Sequence, residues 1–175
     1  MPVRPVARHS ATPHPAVNKT AVREQILLRL RAELKLQAQA AQLSRDEAIS
    51  EESRAENRWD THSQEAAYLA EGQARLVAEI SANIEFYETL ALPAFGTGAA
   101  VGVGALVEVE SGDERTLYFV GPRGGGLELE IDGRAVFVIT PQSPLGRELL
   151  GKRVGDTVPL PRRGVTASHR IAAIL

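Results

Sequence analysis

Residues 143–156 read SPLGRELLGKRVGD. Within them, Gly146-Arg-Glu-Leu-Leu-Gly151-Lys152-Arg153 comes one residue short of G-x-x-x-x-G-K-[ST], the loop that cradles nucleotide phosphates. That loop needs a Ser or Thr hydroxyl for Mg²⁺ at its last position, and behind it a helix whose N-terminus faces the phosphates. Arg153 supplies no hydroxyl. The residues that follow, Val154-Gly-Asp156 and then Val158-Pro-Leu-Pro161, are β-branched and turn-forming and do not sustain a helix. The stretch therefore reads as one amphipathic helical turn, with Leu145, Leu149 and Leu150 at helical spacing and Gly151 placed to end it.

The rest of the composition narrows the chemistry further. The chain has 175 residues, 43% apolar and only 5% aromatic, which suits one ordinary domain or two small ones with a core. It has no cysteine, which excludes disulfides and thiolate metal sites and fits a reducing compartment. His9, His14, His62 and His169 are scattered, without an H-x-x-x-H pair or a carboxylate at ligand spacing, so no zinc site and no stably bound cofactor are expected. No run approaches the roughly 18 continuous apolar residues of a membrane span, and the N-terminus lacks the apolar core of a signal peptide. The expectation is a cytoplasmic protein with no membrane partner. Nowhere do a nucleophile, a base and an orienting group cluster, so an enzyme in its own right is not expected.

A net charge of −2 hides a strong asymmetry. Residues 1–43 carry seven basic residues (Arg4, Arg8, Lys19, Arg23, Arg29, Arg31, Lys35) against Glu24 and Glu33, a net of +5. Residues 44–71 carry eight acids (Asp46, Glu47, Glu51, Glu52, Glu56, Asp60, Glu65, Glu71) against Arg45, Arg54 and Arg58, a net of −5. Residues 91–175 balance, so no general nucleic-acid surface is indicated there.

Residues 1–18 hold four prolines and no apolar period and read as a tail. Helix begins after Asn18, a suitable N-cap, with Val22, Ile26, Leu27, Leu30, Leu34 and Leu43 at three-and-four spacing. A second stripe holds Tyr68, Leu69, Leu76, Ile80, Ile84, Tyr87 and Leu90 and stops at Pro93. Both stripes are narrow, as in a two-helix seam rather than a helix laid on a broad core. Residues 19–92 are thus expected to form a long antiparallel helical hairpin, a coiled coil turning somewhere in 55–64. In residues 93–175 glycines punctuate short β-type runs at Ala105–Glu110, Thr116–Val120, Leu127–Ile131, Val136–Thr140, Val158–Leu160 and Ser168–Leu175. Ser111-Gly112-Asp113 and Gly124-Gly125-Gly126 read as hairpin turns between them. The fold class is α+β: the hairpin, then a small, mostly antiparallel β domain with one short helix.

This order of elements, with VGVGALVEVE (101–110), YFVGP (118–122), ITPQSPLGRELLGKRVGDTV (139–158) and a terminal SHRIAAIL (168–175), resembles the bacterial GreA/GreB transcript cleavage factors. The likeness covers roughly residues 20–175, and its most specific part is Ser143-Pro144-Leu145-Gly146 with Leu150-Gly151-Lys152 and Gly155-Asp156. The resemblance implies an FKBP-like C-terminal domain that docks at the rim of the secondary channel of RNA polymerase core. It assigns docking to the segment of Ser143, Pro144, Leu145, Arg147, Lys152, Arg153 and Asp156. The hairpin would thread down the channel, so nucleic acid would be met only within the elongation complex.

The acidic residues near the hairpin end then acquire a chemical reading. Carboxylates added to a polymerase active centre could help hold a shared Mg²⁺ and its water for phosphodiester hydrolysis. The plainer reading is a solvated helix face. The family's tip is approximately D-x-x-E-N-A-E-Y, and this chain departs from it. One register sets Glu56-Asn57 on the E-N pair and leaves Ser53 at the aspartate. The other sets Tyr68 on the tyrosine, fits the length of the second helix without a gap, and puts Thr61 and Gln64 at the acid positions, beside Asp60 and Glu65. The second is preferred on helix length. It makes Asp60 the principal metal-facing acid, with Glu56 or Glu65 auxiliary, and predicts weak or absent cleavage. Trp59 either caps the apolar seam, the favoured role, or contacts the polymerase. Three functions stay open: a channel-occupying elongation factor, a fully active cleavage factor, and a Gre-like module for another partner.

Overall fold

The computed structural model describes residues 17–52, 61–162 and 165–175. Two helices, α1 (Lys19–Glu52) and α2 (Thr61–Glu88), precede a six-stranded sheet. Its strands are β1 (Leu106–Ser111), β2 (Glu114–Val120), β3 (Glu128–Ile131), β4 (Arg134–Ile139), β5 (Thr157–Arg162) and β6 (Val165–Ile174), with a short helix, α3 (Pro144–Leu149), between β4 and β5.

Asn18 caps α1, its side-chain oxygen accepting from the Thr20 backbone N–H at 2.8 Å. The residue before it lies within the expected tail, yet Val17 is only 3% exposed and belongs to the core. The two helices pack against each other. At 34 residues α1 is roughly 51 Å long at 1.5 Å per residue. Its base is braced to the end of α2 by an Arg31–Glu88 ion pair at 2.7 Å, and to the segment that follows by Lys19, which donates to the Pro93 carbonyl.

The sheet order is β3-β4-β2-β1-β6-β5. Four of its pairings are antiparallel, but β2 and β4 run parallel, Leu117 opposite Val136 and Val120 opposite Ile139. A parallel pair requires a crossover, and residues 121–133 provide it. The Gly124-Gly125-Gly126 run is therefore not the hairpin turn expected of it. The chain passes along β4, with the Gly126 N–H donating to the Val138 carbonyl at 2.9 Å, and forms β3 outside it. It returns to β4 through Asp132-Gly133, both at positive φ (52° and 74°), the backbone of a two-residue hairpin turn.

Strand alternation divides the apolar side chains between two layers. One face of the sheet presents Leu106, Leu117, Phe119, Leu129, Ile131, Val136 and Val138 to Val22, Ile26, Leu27, Leu30, Ile80, Ile84 and Tyr87 of the helices. The other face collects Val107, Val109, Val120, Ile139, Val158, Ile171 and Ile174 around Leu149 of α3. The base of the hairpin is thus laid on a sheet core, contrary to the expected free-standing seam.

Beyond the sheet the seam narrows. Its half-buried positions keep three-and-four spacing as Leu34, Gln37, Ala41 and Ser44 on α1, with Ala70, Gln73 and Val77 on α2. These are mostly small or polar residues. Leu43, Tyr68, Leu69 and Leu76, expected in the seam, are instead exposed. The heptad is occupied by the small residues, and at about 100° per residue the larger ones fall off its line.

Candidate docking surface and hairpin tip

The segment 143–156 is held along its whole length. Ser143 is the N-cap of α3: its hydroxyl accepts from the Gly146 N–H at 3.0 Å and donates to the Thr140 carbonyl at 2.8 Å. Pro144 follows at the first helical position, where a missing N–H costs nothing. Gly146 must be glycine, because a Cβ there would lie 1.9 Å from the Thr140 carbonyl oxygen. This contact presses α3 onto the end of β4 and buries Leu149 completely.

After α3, Gly151 turns the chain at φ 75°. Its N–H donates to the Val101 carbonyl at 3.0 Å, and the Val101 N–H donates to the Lys152 carbonyl at 2.8 Å. The carboxylate of Asp156 accepts from the Arg153 N–H at 2.8 Å and closes the next turn, while the Gly155 N–H donates to the Ile171 carbonyl at 2.9 Å. Asp156, a candidate docking residue, thus shapes the turn that presents Arg153.

The candidate docking side chains divide by exposure. Pro144, Arg147, Arg153 and Asp156 are exposed, and Ser143, Leu145 and Lys152 are half-buried. Pro144, Leu145, Arg147 and Glu148 line an open groove of 440 Å³ with Pro159 of β5. An apolar floor of two prolines and a leucine, flanked by charges of both signs, suits a protein surface rather than a small substrate.

The tip is reached by the other end of the hairpin. Glu56, Trp59 and Asp60 lie outside the described residues. Glu65 lies one turn into α2 and is exposed, as is the neighbouring Gln64. Among the described residues no group of three or more His, Asp or Glu side chains is assembled to hold a metal, and no helix is long and apolar enough to cross a membrane.

Sequence reasoning passed over the place where helix and sheet are joined. Tyr87, read only as an apolar stripe residue, is fully buried and donates its hydroxyl to the Arg123 carbonyl at 2.6 Å, while the Arg123 guanidinium lies 4.4 Å from the centre of the Phe86 ring. The phenol is pushed well above its ordinary pKa by burial. A signal was present in the glycine of YFVGP: a Cβ at Gly121 would meet the Tyr87 hydroxyl.

Residues 97–175 match the family described as transcription elongation factor GreA/GreB, C-terminal. The chain is 31% identical over 117 residues to transcription elongation factor GreA of Thermomicrobium roseum, covering 66% of this chain and 68% of that one. It is 30% identical over 105 residues to the transcription inhibitor protein Gfh1 of Thermus thermophilus, covering 58% of this chain and 64% of that one. The crystal structure of Thermus aquaticus Gfh1 is 26% identical and aligns over 83% of this chain and 91% of its own, with a TM-score of 0.38.

Proposed function

The chain belongs to the GreA/GreB family of transcription elongation factors, and on that premise we propose that it binds bacterial RNA polymerase core and occupies the secondary channel, with weak or no stimulation of transcript cleavage. The observation that carries this reading is the reach of the hairpin. Among the described residues the last buried one on α1 is Leu30, and α1 continues to Glu52, roughly 33 Å further at 1.5 Å per residue. That projecting pair of helices contributes little to the protein's own core and suits insertion into a partner. The segment 143–156 sits on the sheet, where a rigid scaffold holds Arg147, Lys152 and Arg153 for docking.

The tip chemistry turns on register. Carboxylates share a Mg²⁺ only when their oxygens converge to about 2.0–2.1 Å from it. Glu65 follows Gln64 on a regular helix, so its side chain is turned about 100° from the position the family's acid would hold. Asp60 is then the principal acid to meet the polymerase's Mg²⁺, with Glu56 or Glu65 auxiliary, and one well-placed carboxylate supports little hydrolysis. Similarity to a protein named as a transcription inhibitor accords with a factor that occupies the channel without efficient cleavage.

The test is cleavage of backtracked complexes at saturating factor. Binding with little cleavage is expected, and family-like cleavage that persists in Asp60→Ala would overturn the tip assignment. For docking, the double variant Lys152→Glu/Arg153→Glu is expected to weaken polymerase binding tenfold or more, about 1.4 kcal/mol, with its circular dichroism unchanged. Unaltered affinity would remove this face from the interface.

A further inference from the structure

Two defects fall on consecutive residues of α2, where the seam is already thin. Beyond Leu30 of α1 and before Ile80 of α2, no described residue of either helix is buried. The larger apolar side chains of this part of α2, Tyr68 and Leu69, are 73% and 56% exposed and do not hold it to α1. At the seam position Gln73 the side-chain Oε1 is closed off from solvent, and no donor among the described residues bonds it. A buried acceptor left unpaired forfeits the hydrogen bond it makes with water. Gly72, just before it, lies in the helix interior where an added Cβ would meet nothing, so packing does not call for glycine. What glycine supplies there is backbone freedom, at the expense of the helix. The Glu71–Arg75 ion pair spans the place at 3.1 Å, but both side chains are exposed and salt screens such a pair. In α1, by contrast, neither glycine nor proline occurs from Lys19 to Glu52.

We propose that Gly72-Gln73 is a hinge, about which residues 61–71 of α2 leave α1 as one unit while the rest of α2 stays clamped on the sheet by Ile80, Ile84 and Tyr87. Opening lets water reach the Gln73 amide and returns Gly72 its backbone freedom, so both defects ease the separation at the same point. The released arm has about eleven residues, short of the roughly 12–15 at which an isolated helix becomes even marginal, so it loses helix as it leaves. α1 keeps its course as one uninterrupted helix. The shaft is then a stiff strut with a yielding arm beside it, two parts of unequal stability within one hairpin. Glu65 rides on the arm, and on the polymerase reading it can assist at the Mg²⁺ only while the hinge is closed; the hinge itself does not rest on that reading.

Native-state hydrogen exchange on the free, full-length protein tests this. The amides of residues 72–75 bond to carbonyls of the arm, so the break in protection is expected after residue 75 rather than at the glycine. Amides 65–75 should share one opening, exchange at least about tenfold faster than amides 76–87, and depend less steeply on urea, because a local opening exposes less surface than global unfolding. Gly72→Ala and Gln73→Leu should each slow amides 65–75 about threefold or more. Ile80→Ala weakens the clamp and should speed amides 76–87 while leaving 65–75 unmoved; if that variant does not fold, the unequal urea dependence in wild type carries the same distinction. Protection that rises smoothly inward from Thr61, as plain end fraying gives, would overturn the proposal. So would arm rates that neither Gly72→Ala nor Gln73→Leu changes, or one urea dependence for all of α2. Because polymerase is absent from every measurement, a failure here leaves the proposed function standing, and a protein that does not bind polymerase leaves the hinge result intact.

Discussion

The hydroxyl oxygen of Tyr87 lies 2.1 Å from the point where a Cβ would stand on Gly121. Glycine at one position and tyrosine at the other are therefore a single structural choice, and it joins the end of α2 to the end of β2. Gly121→Ala forces the phenol away from the Arg123 carbonyl and is expected to cost about 2–3 kcal/mol, overpacking plus a lost buried hydrogen bond. Tyr87→Phe alone should cost about 1 kcal/mol. In the Tyr87→Phe background the 2.1 Å clash is gone and the added methyl meets the ring carbon at 3.1 Å and the Arg123 carbonyl oxygen at 3.4 Å, so the double variant should be more stable than the sum of its parts. Urea denaturation of the four proteins checks this, and additive costs would refute the clash.

The same phenol predicts a pH dependence. Its pKa is raised by burial from an ordinary value of 10.0, so the folded state holds it neutral while the unfolded chain ionises. Its stability contribution is complete below pH 10 and falls as pH rises above that, by about 1.4 kcal/mol per pH unit. Tyr118, also raised by burial, adds to the alkaline loss in both proteins. The stability difference between wild type and Tyr87→Phe should therefore shrink above pH 10, as measured by denaturation at stepped pH. A constant difference would contradict the burial of the hydroxyl.

Two glycines should answer alanine in opposite ways. Gly146→Ala drives a methyl into the Thr140 carbonyl, a backbone atom at a strand end, and is expected to cost about 3 kcal/mol and to loosen α3. Gly72 lies inside α2 with open space around it, and Gly72→Ala should stabilise by about 0.5–1 kcal/mol. Thermal melts of the two variants, moving in opposite directions, are the check.

The seam assignment can be tested by truncation. Ile80→Ala removes a side chain buried between helix and sheet and should cost about 2–5 kcal/mol. Leu43→Ala, on an exposed face, should stay within about 0.5 kcal/mol of wild type. Equal losses would return Leu43 to the seam.

The strands were legible because alternating β-branched residues between glycines leave few other readings. All six expected runs became strands, and the turn at Leu145–Leu150 became α3. The hairpin was legible as two helices but not in its packing. Hydrophobicity marks large residues, and Ala41, Ala70 and Gln73 hold the seam while Leu43 and Leu69 face outward. The parallel pair was missed because the glycine run at 124–126 looked like a turn, while Asp132-Gly133, the true one, carried the stronger two-residue signal. Ser143, Pro144 and Gly151 told their own local story. Gly121 and Gly146 could not, since what crowds them arrives from Tyr87 in another element and from Thr140 at the end of a strand.

The ends of the sheet limit how this protein can assemble. Proline has no N–H to give a ladder, and Pro159 and Pro161 take alternate places on the edge strand β5. At the opposite edge, β3 is four residues long, with Glu128 and Glu130 exposed along it. Neither border is a template on which a neighbour's strand could grow, so crowding during synthesis should not convert the sheet into a seed for fibres. Contacts with other molecules are left to helices and turns, whose hydrogen bonds are closed within the chain, and such contacts can be made and released without unravelling the fold.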